Sequence, residues 1–247
     1  MWQGVAVALV TFFDGDAEVD VSGTAQHAAR LVEAGVRAVV VGGTTGESDA
    51  LTLDERGALV AAVKDACPGV PVVAGAGGQW TRPAAEVASA VVKAGADAIL
   101  VPPPRRPTDL AAFYAALPHD VPVIGYHFPG VAGGEIPLDG LAALPLAGVK
   151  DSSGDPERLL REVSTWDGAV YSGSAPLALM AGAVGAAGVI LAVANVAPED
   201  CVAAHGGDGA AQVRLLSTHR RAKALFPHGL KAAVAERYGT STVTRLG

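Results

Sequence analysis

The chain carries only two cysteines, Cys67 and Cys201, far apart and in no CxxC or Cys/His cluster. That excludes a disulfide framework and reads as two ordinary thiols of a reducing compartment. The histidines at 27, 119, 127, 205, 219 and 228 form no HxH or HExxH spacing, so a metal centre is not expected. No basic residue precedes Arg30, and the apolar opening MWQGVAVALVTFF therefore lacks the charged start of a secretory signal; the expected location is cytoplasmic. No long run of one charge sign occurs, and a net charge of -7 provides no basic face for nucleic acid. Aromatic residues are scarce at 5%, so the apolar mass is mainly Ala, Val and Leu, which suits tightly packed helix-on-strand layers. One uncharged stretch, 172–198, is long enough to imitate a membrane span. Pro176, Asn195 and the glycines at 182, 185 and 188 interrupt it, and it reads instead as a short helix (177–184), a turn and a buried strand (188–193).

What the sequence does have is a repeated strand-then-helix alternation. Short runs rich in Val, Ile and Ala at 5–10, 38–41, 72–74, 98–101, 121–125, 148–150, 169–171 and 188–193 are continuous rather than alternating, as in parallel strands buried on both faces. Helical patterns lie between them: 20–34 with Gly35 after it, 52–66 with the capping-box pair Thr52 and Glu55, 81–94 with Pro83 near its start, then 109–117, 138–144 and 155–164. EAGVRAVVVGG (33–43), KAGADAILVPP (93–103) and AVGAAGVILAV (183–193) nearly rhyme, each a helix end, a glycine and a strand. With 247 residues and eight such units, the predicted fold class is α/β, a (β/α)8 TIM barrel over 1–197 with a short C-terminal helical region over 198–247, a single domain overall. An open doubly wound sheet is the structural alternative, disfavoured by the strand count and by the lack of an early GxGxxG. Helices are expected at 198–204, 210–225 and 230–238.

In such a barrel, chemistry sits at the C-terminal ends of the strands. Lys150 ends the sixth strand, and Lys64 and Lys93, the other lysines of the first 200 residues, fall on helices. A lysine at the barrel mouth is withdrawn from water, which favours the uncharged amine that attacks a carbonyl carbon to form an imine. The competing reading is a strand-end lysine whose head reaches solvent. Tyr126, beyond the fifth strand, is placed either to relay a proton or simply to pack its ring and bond its hydroxyl to the backbone. Gly43-Thr44-Thr45-Gly46-Glu47 offers backbone N–H groups and two hydroxyls to a carboxylate; otherwise it is a turn before a helix, with Glu47 serving the helix dipole. The rim positions read as substrate-binding are Thr44, Thr45, Gly46, Ser152, Gly173 and Ser174.

Taken in order, ALVTFF, GGTTGES, VVAGAGG, YHFPG, GVKDSSGD, VYSGSAPL, AGAVGAAGVILAVANVAPE and GLKAAVAERYG cover almost the whole chain. In this combination the sequence resembles the dihydrodipicolinate synthase / N-acetylneuraminate lyase family. The resemblance implies a lyase or class I aldolase that works through a Schiff base. Lys150 would form the imine with pyruvate or a related 2-oxo acid, and Tyr126 would relay the proton. Thr44 and Thr45 would hold the substrate carboxylate, with Thr45 joining the catalytic set. It also implies an aldehyde as the second substrate, no cofactor, and a homo-oligomer, either dimer or tetramer.

Three departures bear on the substrate. The loop 101–107 carries no tyrosine where the synthases often place an aromatic pair, and Gly130-Val131-Ala132-Gly133 stands where they place an arginine. Ala175 and Pro176 follow the SG pair of the seventh strand, where sugar-acid lyases often have an acidic residue. These argue against a strict dihydrodipicolinate synthase and against a long polyhydroxylated substrate, and the shortened helical tail bears on the tetramer. Arg105 and Arg106 are read as solvated loop residues, with an anion contact as the alternative. Two other functions compete: a non-catalytic 2-oxo-acid-binding paralogue, and a barrel enzyme cradling phosphate at Ser172-Gly173-Ser174.

Overall fold

The computed structural model describes residues 1–106 and 108–246; Pro107 of the 101–107 loop and Gly247 at the end of the helical region lie outside the described residues. Eight strands close into a parallel barrel in sequence order: β1 (Gly4–Ala8), β2 (Ala38–Val41), β3 (Val72–Gly75), β4 (Ala98–Val101), β5 (Val123–His127), β6 (Gly148–Asp151), β7 (Ala169–Ser172) and β8 (Gly188–Leu191). The first strand pairs with the last, Val5 opposite Val189. An open sheet is thereby excluded.

Alternate residues of each strand face two different cores. Val5, Val7, Val39, Val41, Ile99 and Val149 point outward into the layer beneath the helices. Ala6, Ala8, Val40, Leu100, Ile124 and Tyr171 point into the barrel itself. Small residues of β1 thus share the interior with large ones of β5 and β7. Trp2 stacks on Tyr171 with ring centroids 4.2 Å apart, and the Tyr171 hydroxyl donates to the Trp2 carbonyl.

The outer helices are α1 (Val21–Glu33), α2 (Leu53–Ala66), α3 (Thr81–Lys93), α4 (Leu110–Ala115), α5 (Pro156–Thr165), α6 (Ala178–Ala183) and α7 (Pro198–His205). Their starts follow the capping chemistry in the sequence. Asp20 accepts from Gly23 N, Thr52 and Glu55 form the reciprocal capping box, and Asp155 caps α5 with Pro156 in its first turn. Gly35, Gly95 and Gly185, which follow α1, α3 and α6, are left-handed with φ of 100°, 104° and 81°; they are the punctuation of the three rhyming segments. α7 lies against β1 and β8, and α8 (Gly209–Lys223) and α9 (His228–Tyr238) follow it.

Several elements differ from expectation, β8 among them, which ends at Leu191 rather than at residue 193. β5 begins at Val123 rather than Val121, because Pro122 has no N–H for the ladder, and it runs on through Tyr126 and His127. β1 ends at Ala8 rather than Val10; the Val10 N–H is taken by the Asn195 side chain instead. The segment expected as a helix at 138–144 is a 3₁₀ turn, Leu138–Ala143, with Gly140 inside it and Pro137 before it. Residues 172–198 resolve into the end of β7, a turn, α6, β8 and a second turn, and no helix of the described residues is long and apolar enough to cross a membrane.

Candidate active site

Parallel pairing sets Tyr126, Lys150 and Tyr171 in one row across β5, β6 and β7. All three side chains belong to the inward-facing set, since Val149 and Val170 between them face the helices. Lys150 is 5% exposed, and its amine sits 4.3 Å from the centroid of the Tyr126 ring. Among the described residues no carboxylate pairs with it. The lysine therefore does not reach out to solvent; it ends inside the barrel mouth.

Gly173 makes this packing possible. A Cβ there would stand 1.9 Å from Ser152 Oγ and 3.1 Å from Lys150 Cε. The absent side chain is the space that Ser152 and the lysine occupy. The backbone around them is tied together as well: Ser152 N donates to His127 O, and Gly173 N donates to Asp151 O.

Across the barrel, Thr44–Gly46 forms a single 3₁₀ turn after β2, with Thr45 buried. Thr11 at the end of β1 donates its hydroxyl to Gly46 O at 2.8 Å, which fixes this turn from below. Arg56 on α2 fixes it from behind, donating to the carbonyls of Gly42, Gly75, Leu51 and Ser48. Burial pulls the Arg56 guanidinium down from its ordinary value. The cleft above β2 to β5 has a volume of about 500 Å3, and Thr44, Ser48, Arg56, Arg105, Tyr126 and Leu246 are on its wall. Tyr126 is shared, facing the cleft and contacting Lys150. Ser152, Gly173 and Ser174 lie at the ends of β6 and β7, on the other side of the mouth. There Ser174 N donates to Ser172 Oγ at 3.3 Å.

Arg105 is not simply solvated. It lines the cleft and donates to the carbonyls of Gly130 at 2.9 Å and Val131 at 2.5 Å, in the very stretch that lacks an arginine of its own. Arg106 is exposed, as expected. Among the described residues no three His, Cys, Asp or Glu side chains converge in a metal-holding group.

Behind β5 and β6 lies a buried polar cluster that sequence reasoning missed. Arg158 pairs with Glu162 at 2.9 Å and with Asp151 at 3.8 Å, and it donates to Ile136 O. Ile136 N donates in turn to His127 Nδ1. His127 and Asp151 directly follow Tyr126 and Lys150, so this cluster holds the backs of the two strand ends. Burial pushes His127 down to about 4, with Arg158 adding to the effect, and pushes Asp151 up. The alternative reading of Glu47, as a helix-dipole residue, does not hold. The residue is buried and left-handed, with φ of 56°, and serves no helix dipole; Lys231 lies 2.6 Å from it. The i,i+4 spacing of Arg158 and Glu162 on α5 was the one local signal of the first group, and nothing near Glu47 signalled the second.

A closed (β/α)8 barrel with a buried lysine at the mouth, a tyrosine ring against its amine and a threonine pair across the rim defines a class of barrels that enclose an amine at the mouth. The comparisons specify it further. Residues 1–221 match the Dihydrodipicolinate synthetase family, and the chain belongs to that family. It is 41% identical over 209 residues to a DapA-like lyase of Halobacterium salinarum, covering 80% of this chain and 69% of that protein. It is 39% identical over 207 residues to a 4-hydroxy-tetrahydrodipicolinate synthase of Corynebacterium aurimucosum, covering 78% and 68%. The dihydrodipicolinate synthase of Acinetobacter baumannii, solved with pyruvate, superposes with a TM-score of 0.90 at 29% identity, over 100% of this chain and 92% of that one.

Proposed function

We propose that the protein is a lyase or aldolase that joins pyruvate or a related 2-oxo acid to Lys150 as a Schiff base and makes or breaks a carbon–carbon bond with an aldehyde. The observation that carries this reading is the Lys150 amine, buried at the barrel mouth and set against the ring of Tyr126. The amine nitrogen adds to the ketone carbon while the ketone oxygen takes a proton from the Tyr126 hydroxyl. The Tyr126 phenolate takes a proton from the added nitrogen and returns it to the hydroxyl of the carbinolamine, which departs as water and leaves an iminium. The phenolate then takes a proton from the neighbouring carbon to give an enamine, which adds to the aldehyde carbon as the Tyr126 hydroxyl returns that proton to the aldehyde oxygen. Hydrolysis then frees the product and restores the amine, and the reverse sequence is cleavage. The hydroxyls of Thr44 and Thr45 and the Gly46 turn hold the substrate carboxylate. Ser152, Gly173 and Ser174 shape the opposite wall.

The test is borohydride reduction in the presence of pyruvate, read by mass spectrometry. The expected result is one adduct on Lys150, absent in Lys150→Ala; an unlabelled wild type, or label surviving in the variant, overturns the reading. Homo-oligomerisation and a cytoplasmic location complete the proposal. Exposed Val213, Leu216, Leu225 and Phe226 on and after α8 are the apolar area that a second copy would cover, and sedimentation of the purified chain checks it.

A further inference from the structure

The wall of the cleft is not built from barrel loops alone. Leu246, 39% exposed, lies on it together with Ser48 and Asp49 of the β2 loop. It arrives there on the segment 239–246, which leaves α9 at the left-handed Gly239 and forms neither helix nor strand. A segment without regular structure keeps a fixed position only through its own bonds, and these are numerous. Arg245 N and Leu246 N both donate to Glu47 Oε2 at 2.8 Å. The Arg245 guanidinium donates to Ala17 O, Ala50 O and Glu55 Oε1 at 2.7 to 2.9 Å, and lies over the Phe13 ring. Lys231 Nζ donates to Val243 O and, from the same buried position, contacts Glu47 Oε1, each at 2.6 Å. Glu47 follows Thr44, Thr45 and Gly46 directly, so the turn that faces the substrate also anchors the strap.

From this we infer that Leu246 is a specificity-determining residue, which limits the size of the far end of the aldehyde partner. The inference rests on the proposed function, since it takes the cleft to be where that partner sits. A volume of about 500 Å3 exceeds what a three-carbon 2-oxo acid fills, so the wall away from Lys150 meets the other reactant. An apolar side chain there recognises alkyl bulk, not charge. Because Leu246 is held through its own backbone N–H and that of Arg245, its side chain can be changed without touching the anchor.

The experiment compares Leu246→Ala and Leu246→Phe with wild type, using pyruvate and a series of straight-chain aldehydes of increasing length. The ratio of kcat/KM for long over short aldehydes is expected to rise roughly tenfold in Leu246→Ala and to fall by a similar factor in Leu246→Phe, the scale set by a few methylenes in an apolar pocket. Borohydride trapping of pyruvate on Lys150 should be unchanged in both. If wild type turns over none of the aldehydes, the same ratio is read from trapping of 2-oxo acids of increasing chain length. Variants that trap pyruvate normally yet keep the wild-type ratio overturn the role of Leu246. Failure of the wild type itself to trap pyruvate overturns the active-site reading instead.

Discussion

Two buried glutamates flank the barrel mouth, and they are solved differently. Glu47, 1% exposed beneath the threonine turn, has an ammonium 2.6 Å from one oxygen and two backbone N–H groups on the other. Glu162, 0% exposed behind β6, shares a single guanidinium with Asp151, and its Oε2 has no partner among the described residues. Its carboxyl, ordinarily at 4.5, is pushed up to about 7, first by burial and then by Asp151, with Arg158 pulling the other way. Depth is the same in both places; Glu162 has fewer donors, and its carboxyl is the proton site.

Removing the donor is the most severe way to break this comparison. Lys231→Met removes the ammonium 2.6 Å from buried Glu47, and should cost about 3–5 kcal/mol in urea unfolding. The double variant Lys231→Met/Glu47→Gln should recover part of that loss, because no charge is then stranded. A double variant no better than the single one would show that the segment 239–246, not the charge, sets the cost.

The second test uses pH. The folded protein keeps a proton on Glu162 that the unfolded chain releases between about pH 4.5 and 7. Stability from this group therefore falls as pH rises through that window, by on the order of 3 kcal/mol. His127 works in the opposite sense. Its folded value of about 4, against an ordinary 6.5, means that the unfolded chain takes up a proton the folded protein refuses, so stability is lost as pH falls from 6.5 towards 4. His27, also held near 4 by burial, adds to that loss. The opposing slopes overlap between pH 4.5 and 6.5. In Glu162→Gln the falling slope should shrink and the histidine slope should dominate, so that urea midpoints climb more steeply than in wild type towards pH 6.5. A profile that matches wild type would refute the proton site.

The smallest effect belongs to a carboxylate at the surface. Asp97 pairs with Lys64 at 2.5 Å, with both side chains 39% exposed. Lys64→Met should cost under about 1 kcal/mol, because water and salt screen the pair. A thermal melt that drops as far as in Lys231→Met would remove burial from the explanation.

Much of the barrel was legible because its signals are local. Each Val, Ile and Ala run lies near a strand, the Thr52–Glu55 capping box forms as its spacing demands, and Gly35 and Gly95 end their helices. Lys150 stood out because the other lysines of the first 200 residues, Lys64 and Lys93, fall on helical patterns. What stayed illegible depends on long-range meetings. Nothing near Asn195 announces that it donates to Ala8 O and accepts from Val10 N, closing β8 onto β1. Glu47 looked like a helix-dipole residue because its partners lie some two hundred positions away, at Lys231, Arg245 and Leu246.

The sequence by itself determined the repeating unit, its count and the side chain at the end of each strand, since hydrophobic period, caps and breakers act over a few residues. Tertiary structure alone decided which of those side chains face one another across the mouth, which buried charges find a counter-ion, and that Leu246 stands at the cleft. Those outcomes follow from barrel closure, which brings together atoms that no local pattern relates.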